Sequence, residues 1–230
     1  MLETSPAHGS ARVMGFVALS AALGGCSANQ YATPRTVPAG EVLHTIAAET
    51  VGDPGDEFLP NIRYRVRIGL AERVDLGVTA GPMFGADVKV NFVRTKRVDL
   101  ALAPGFELQP ALMLVSREYS ENTPYIQGKL PLLLGVNVMR EVSIYMHGGL
   151  ASTAYVERGT WCSPSTCNEQ VTYASMMGGI GVQIRLSDFV SLQPETSIIA
   201  SFGEKHVPPN LFQFGFGVSF GAQPDYKDLD

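Results

Sequence analysis

Beyond its first 25 residues the sequence lacks any apolar run long enough for a membrane helix, it has a single Trp, and it carries no excess of positive charge. A helical span needs about twenty consecutive apolar residues, so helical insertion of the mature chain is excluded. A net charge of −5 offers nothing that would hold a phosphate backbone, which argues against a nucleic-acid partner. Apolar residues at helical spacing are also hard to find. No Gly-rich phosphate loop, zinc motif or dinucleotide fingerprint stands in a credible context, so no cofactor and no metal is expected. What remains is β structure. The 24 glycines are spread among short alternating runs rich in Val, Leu, Phe and Tyr. Strands that alternate apolar and polar residues average out to mild hydropathy, and the mean hydropathy here is +0.09.

The clearest such run is the last one, residues 211–220 (LFQFGFGVSF). Phe212, Phe214, Phe216, Val218 and Phe220 share one side of a strand, and Leu211, Gln213, Gly215, Gly217 and Ser219 the other. The same pattern recurs from residue 40 onward. Candidate strands cover 41–51, 61–71, 74–81, 87–94, 98–116, 125–138, 142–156, 170–186, 190–202 and 211–220, about ten in all. Pro104 and Pro110 mark a bulge or an irregular end in the fifth. Connections after the second, fourth, sixth and eighth strands are about three residues long. Those after the first, fifth, seventh and ninth are longer. The short turns share a weak repeat (ERVDL, KRVDL, REVSI, DFVSL), each launching a strand of the same direction. Short turns at one end and long loops at the other describe an antiparallel up-and-down transmembrane β-barrel, with the short turns periplasmic.

The two faces of the strands differ in charge. Opposite the apolar rows lie Arg63, Arg65, Arg67, Asp75, Asp87, Lys89, Asp99, Glu107, Lys129, Arg185 and Glu195, interspersed with glycines. Near balance of both signs, with small residues between, suits a crowded interior in which charges pair. The opposite assignment is a secreted lipocalin-like barrel, with Phe, Leu and Val packed inward around an apolar ligand.

The N-terminus carries export features. Arg12 precedes an apolar and small-residue run, 13–23, and Leu23-Gly24-Gly25-Cys26 follows. This ending resembles a bacterial lipoprotein lipobox, which implies a signal peptide over 1–25 and lipidation at Cys26. No Asp follows the Cys, and the resemblance then implies the outer membrane. Residues 26–39 are polar, contain two prolines, and read as a lipid-anchored tether between anchor and barrel. The barrel itself spans 40–220, and 221–230 form a periplasmic tail.

The chain as a whole resembles the small outer-membrane β-barrels of Gram-negative bacteria, of the OmpA and OmpW types. Gln213, Gly215, Val218 and Phe220 match the C-terminal assembly signal of that group. The resemblance implies recognition by the barrel-assembly machinery, outer-membrane lipids as surroundings, and location in the cell outer membrane. The tail beyond Phe220 departs from the many members that end at the aromatic residue.

Candidates for chemistry are few. Cys162 and Cys167 bracket four residues in the longest loop, and an exported pair at this spacing is expected to form a disulfide. His147 shares the inward row with Tyr145, and Glu195 can face it. The pattern fits a hydrogen-bond network rather than a catalytic set, and no enzymatic role is expected. Arg63, Arg65 and Arg67 form a ladder that either draws anions into a narrow pore or pairs with Asp75, Asp87 and Asp99 to plug it. At about ten strands the lumen is narrow, which favours the plug. A structural, envelope or surface-interaction role is therefore expected, with a pore as the alternative. Oligomeric state is not legible.

Overall fold

The computed structural model describes residues 28–52, 59–109, 125–158, 168–202, 210–224 and 226. Eleven strands follow in chain order. They are β1 (Val42–Gly52), β2 (Leu59–Ala71), β3 (Val74–Ala80), β4 (Phe84–Arg94), β5 (Val98–Leu102), β6 (Gly105–Gln109), β7 (Tyr125–Met139), β8 (Val142–Arg158), β9 (Asn168–Arg185), β10 (Val190–Phe202) and β11 (Leu211–Gly221). Apart from β5 and β6, each pairs antiparallel with its chain neighbours, and β1 also pairs with β11, which closes the sheet. β5 and β6 are two pieces of one stave, since both pair with β4 and with β7. The result is a closed antiparallel barrel of ten staves.

Pro104 separates β5 from β6 because it has no N–H to give the ladder. It does not shift the register. Leu102 faces Leu132 and Gly105 faces Lys129, three residues on in each strand. The register shifts lie elsewhere. They fall at 69–71 in β2, 91–93 in β4 and 137–139 in β7, each where a strand enters a short turn. Bulges at barrel rims tighten the local twist.

The alternation of loop lengths holds with one exception. Gly81, Pro82 and Met83 join β3 to β4 by a short turn at the end that otherwise carries the long loops. The wall is low there, with 7 residues in β3, and tall at β8 and β9, with 17 and 18.

Strand parity decides which row meets the surroundings. Phe84, Phe92, Phe106, Leu132, Leu150, Ile180, Phe214 and Phe216 are exposed, while the charged row is buried except for the half-buried Lys129 and Arg185. The interior is thus lined by charges, which overturns the lipocalin-like assignment. The exposed apolar rows form a belt around the wall, and an apolar surface of that extent is stable only when covered by an apolar medium or partner.

The segment expected as a tether is the largest difference from the sequence reading. Residues 28–37 do not stand outside the barrel. They run through its lumen, and Ala28, Asn29, Tyr31, Arg35 and Val37 are each at most 2% exposed. A polar segment with Pro34 and Pro38 cannot join the sheet. It can cross a polar lumen if the wall supplies partners for its backbone. The tail is likewise tucked in: Gln223 and Tyr226 are buried at the short-turn mouth.

Candidate functional site

The lumen and the segment that fills it form the candidate site. At the short-turn end, Gly40 N donates to Gly69 O, and Thr36 Oγ1 donates to the Glu72 carbonyl. At the other end Ala28 packs with Val51, Met177, Ile199 and Leu211. Val51 and Leu211 lie beside the long loops, so the segment descends from the long-loop side to the short-turn side.

The wall grips the backbone of this segment at every level. Gln213 Oε1 accepts from the N–H groups of Ala28 (2.7 Å) and Asn29 (3.2 Å). Glu195 accepts from Gln30 N at 2.6 Å and Tyr31 N at 2.7 Å, one peptide to each carboxylate oxygen. Two successive peptide N–H groups aimed at one anion form an anion-binding concavity. At its end Tyr31 takes a φ of 44°. Arg65 donates to the Gln30 carbonyl. Lys89 Nζ donates to the carbonyls of Thr33 (2.8 Å) and Arg35 (2.6 Å), and Asn91 to that of Pro34 (3.1 Å). Asp75 accepts from Val37 N at 3.1 Å.

Three tiers of charge surround it. Nearest the long loops, Arg63 lies 3.6 Å from both Glu49 and Glu107, and Lys129 also pairs with Glu107. In the middle, Arg65 pairs with Asp87. Glu195 accepts from Tyr145 Oη at 2.7 Å and stands 3.0 Å from His147 Nε2. Below, Arg67 spans Asp75 and Asp87, and Lys89 lies 3.2 Å from Asp75. Asp99 is held by Arg35 of the segment at 2.8 Å and by Asn137 at 2.6 Å. Of the three aspartates expected opposite the arginine ladder, Asp75 and Asp87 face it. Asp99 pairs with Arg35 instead.

Arg185 is not deep in the lumen. It sits at the short-turn mouth, 3.5 Å over the Tyr226 ring, with Arg35 on the same ring at 4.4 Å. Burial raises the Tyr226 phenol above its ordinary value, which keeps the ring neutral beneath two cations. A cavity of about 480 Å³ opens beside it, between Glu41, Arg140, Asp188 and Gln223.

Glycines on the inward row fit the segment. A Cβ on Gly215 would lie 1.7 Å from Tyr31 Oη, and one on Gly69 2.0 Å from the Pro38 carbonyl oxygen. Gly135 lies under Pro34. Of the expected assembly-signal residues, Gln213 and Gly215 therefore face the lumen and contact the segment. Val218 and Phe220 point outward, and Phe220 stacks on His44 at 5.2 Å. Cys26, Cys162 and Cys167 lie outside the described residues.

Sequence reasoning missed Tyr31, Arg35, Glu49, Gln223 and Tyr226. Glu49 sits on the inward parity of β1 and was legible from alternation alone. The others lie outside the strands, where parity gives no signal.

Every polar group of Glu195 is engaged, by two peptide N–H groups, a phenol and an imidazole. Such a carboxylate fixes a strand of chain in place, and it has no free lone pair directed at a substrate. Fold and interior together define a closed antiparallel ten-stave barrel with a polar lumen stoppered by its own chain.

No protein-family model matches the sequence, and no curated protein does. Solved structures with a similar fold include Neisserial surface protein A, at 10% identity and a TM-score of 0.43, covering 78% of this chain and 95% of that one. The outer membrane protein OprG of Pseudomonas aeruginosa is similar at 10% identity and a TM-score of 0.36, covering 82% and 99%. The outer membrane protease OmpT of Escherichia coli is similar at 9% identity and a TM-score of 0.42, covering 85% and 100%. At these values no role is carried across.

Proposed function

We propose that this chain is an outer-membrane β-barrel of a Gram-negative envelope, closed by its own N-terminal segment, with a structural or surface-interaction role and no catalysis. The observation that carries the reading is the seating of residues 28–37 among ion pairs inside a wall whose outer rows are apolar. The belt takes outer-membrane lipids, the short turns face the periplasm and the long loops face outward. Insertion runs through the barrel-assembly machinery, with Gln213, Gly215, Val218 and Phe220 as its signal. Residues 1–25 are the signal peptide and Cys26 carries the acyl group. Palmitate labelling that disappears in Cys26→Ser tests that modification.

Planar-bilayer recording of the purified full chain tests the closed lumen. Silence is expected. Discrete conductance steps altered by Arg65→Ala would replace this reading with a pore. Extraction from isolated outer membranes by detergent alone is expected, and release by salt or alkali would overturn the membrane assignment.

A further inference from the structure

The direction of the lumen segment has a consequence for the side on which the N-terminus stands. Ala28 sits at the level of Val51 on β1, whose short-turn end is Val42. The stretch between them is roughly 30 Å along the strand, or about 23 Å along the barrel axis at the usual tilt. Residue 27 is one peptide from Ala28, and Cys26 two, so Cys26 lies within about 7 Å of Ala28. Neither can reach the short-turn rim while 28–37 is seated. The seated segment itself lies between Ala28 and the short-turn rim.

We propose that the barrel lumen carries this chain's own N-terminus across the membrane and displays residue 27, with whatever is bonded to it, on the cell-surface side. This rests on the reading above that the long loops are extracellular. The seating is not incidental. Glu195 holds two consecutive peptides, Gln213 holds two more, and the backbone at Tyr31 is held at a φ of 44°. Conformations of that kind persist only where the surroundings enforce them. The glycines at 69, 135 and 215 leave the space that the segment occupies. An acyl group on Cys26 then inserts in the outer leaflet. The inner leaflet is out of its reach.

The test uses cells producing the full chain, with a short epitope inserted between Ser27 and Ala28. Two control chains carry the same epitope within residues 159–167 or after Asp230. Antibody is expected to bind intact cells through the first and second positions, and through the third only after permeabilisation. A loop epitope seen on intact cells, with the N-terminal one seen only after permeabilisation, overturns the proposal and leaves the barrel reading standing. A loop epitope hidden in intact cells overturns both. A second variant avoids the insertion. Ser27→Cys, with Cys162 and Cys167 changed to Ser and Cys26 kept, is treated with a membrane-impermeant maleimide. Intact cells are expected to take up as much label as lysed cells. Labelling only after lysis overturns the proposal.

Discussion

The Tyr31 phenol occupies the space over Gly215, so close that a Cβ at Gly215 would lie 1.7 Å from Tyr31 Oη. The lumen segment and the last strand are therefore fitted to each other. Gly215→Ala is expected to destabilise the folded barrel by about 1–3 kcal/mol, the usual cost of overpacking. Tyr31→Ala in the same chain removes the clash, so the double variant loses less than the two single changes together. Urea unfolding in micelles, read as loss of the compact gel band, measures all three. Additive losses would show that ring and glycine do not meet.

Glu195 holds two consecutive peptides of the segment and is also bonded to Tyr145 and His147 of the wall. Glu195→Ala leaves two peptide N–H groups, Tyr145 and His147 without their acceptor. A loss of about 3–5 kcal/mol is expected, as for one partner removed from a buried ionic cluster. Glu195→Gln keeps the shape and one acceptor, and is expected to lose less. The segment should become sensitive to protease in the purified protein, with cleavage between residues 28 and 37. An intact N-terminus after digestion would show that the other contacts suffice.

Much of the wall was legible because a strand carries a period of two that no side-chain detail disturbs. Asp75, Asp87 and Lys89 sit on the parity that the sequence assigned them, and ten staves are observed. The segment was not legible for a physical reason. A chain that lies in a polar lumen needs polar side chains, no regular period and no ladder, and that is also the composition of a solvated linker. Its traces were indirect. Gly69, Gly135 and Gly215 on the inward row leave more room than wall side chains fill, which a lumen wider than eight staves requires to be filled otherwise. Glu49, Glu195 and Asp99 have fewer basic neighbours on the wall than Asp75 or Asp87. Each draws a further partner from the segment, namely Tyr31 for Glu49, two peptide groups for Glu195 and Arg35 for Asp99, and strand parity cannot register any of these.

The outer rows make a prediction that separates lipid from water. Phe216 is mid-strand in β11 and 44% exposed. Phe216→Arg is expected to cost about 2–4 kcal/mol in a bilayer, because the guanidinium must leave water for hydrocarbon. On a protein surface in water the same change falls within about 0.5 kcal/mol. Folding into lipid vesicles over a denaturant series gives the number directly, and a value near zero would mean that this row does not face lipid.

Removing the segment converts the lumen from stoppered to open, and the wall charges set what passes. Between the two rims the described wall presents Glu49, Asp75, Asp87, Asp99, Glu107 and Glu195 against Arg63, Arg65, Arg67, Lys89 and Lys129, one acid in excess. Arg35 supplies the matching cation from the segment. Deletion of residues 28–37 strips Asp99 of Arg35 and Glu195 of its two peptide donors, so both carboxylates face the opened space. Planar-bilayer recording of the deletion variant is then expected to show steps absent from the full chain, with reversal potentials in a salt gradient that favour cations. The arginine ladder taken alone would favour anions. Asp87 and Asp75 already neutralise Arg65 and Arg67, and that pairing survives the deletion. Asp99→Asn in the deletion background should lower the cation preference, whereas Arg65→Ala should raise it by removing one cation and leaving Asp87 with Arg67 alone. Anion preference in the deletion variant would show that the ladder, and not the unpaired carboxylates, governs the opened lumen.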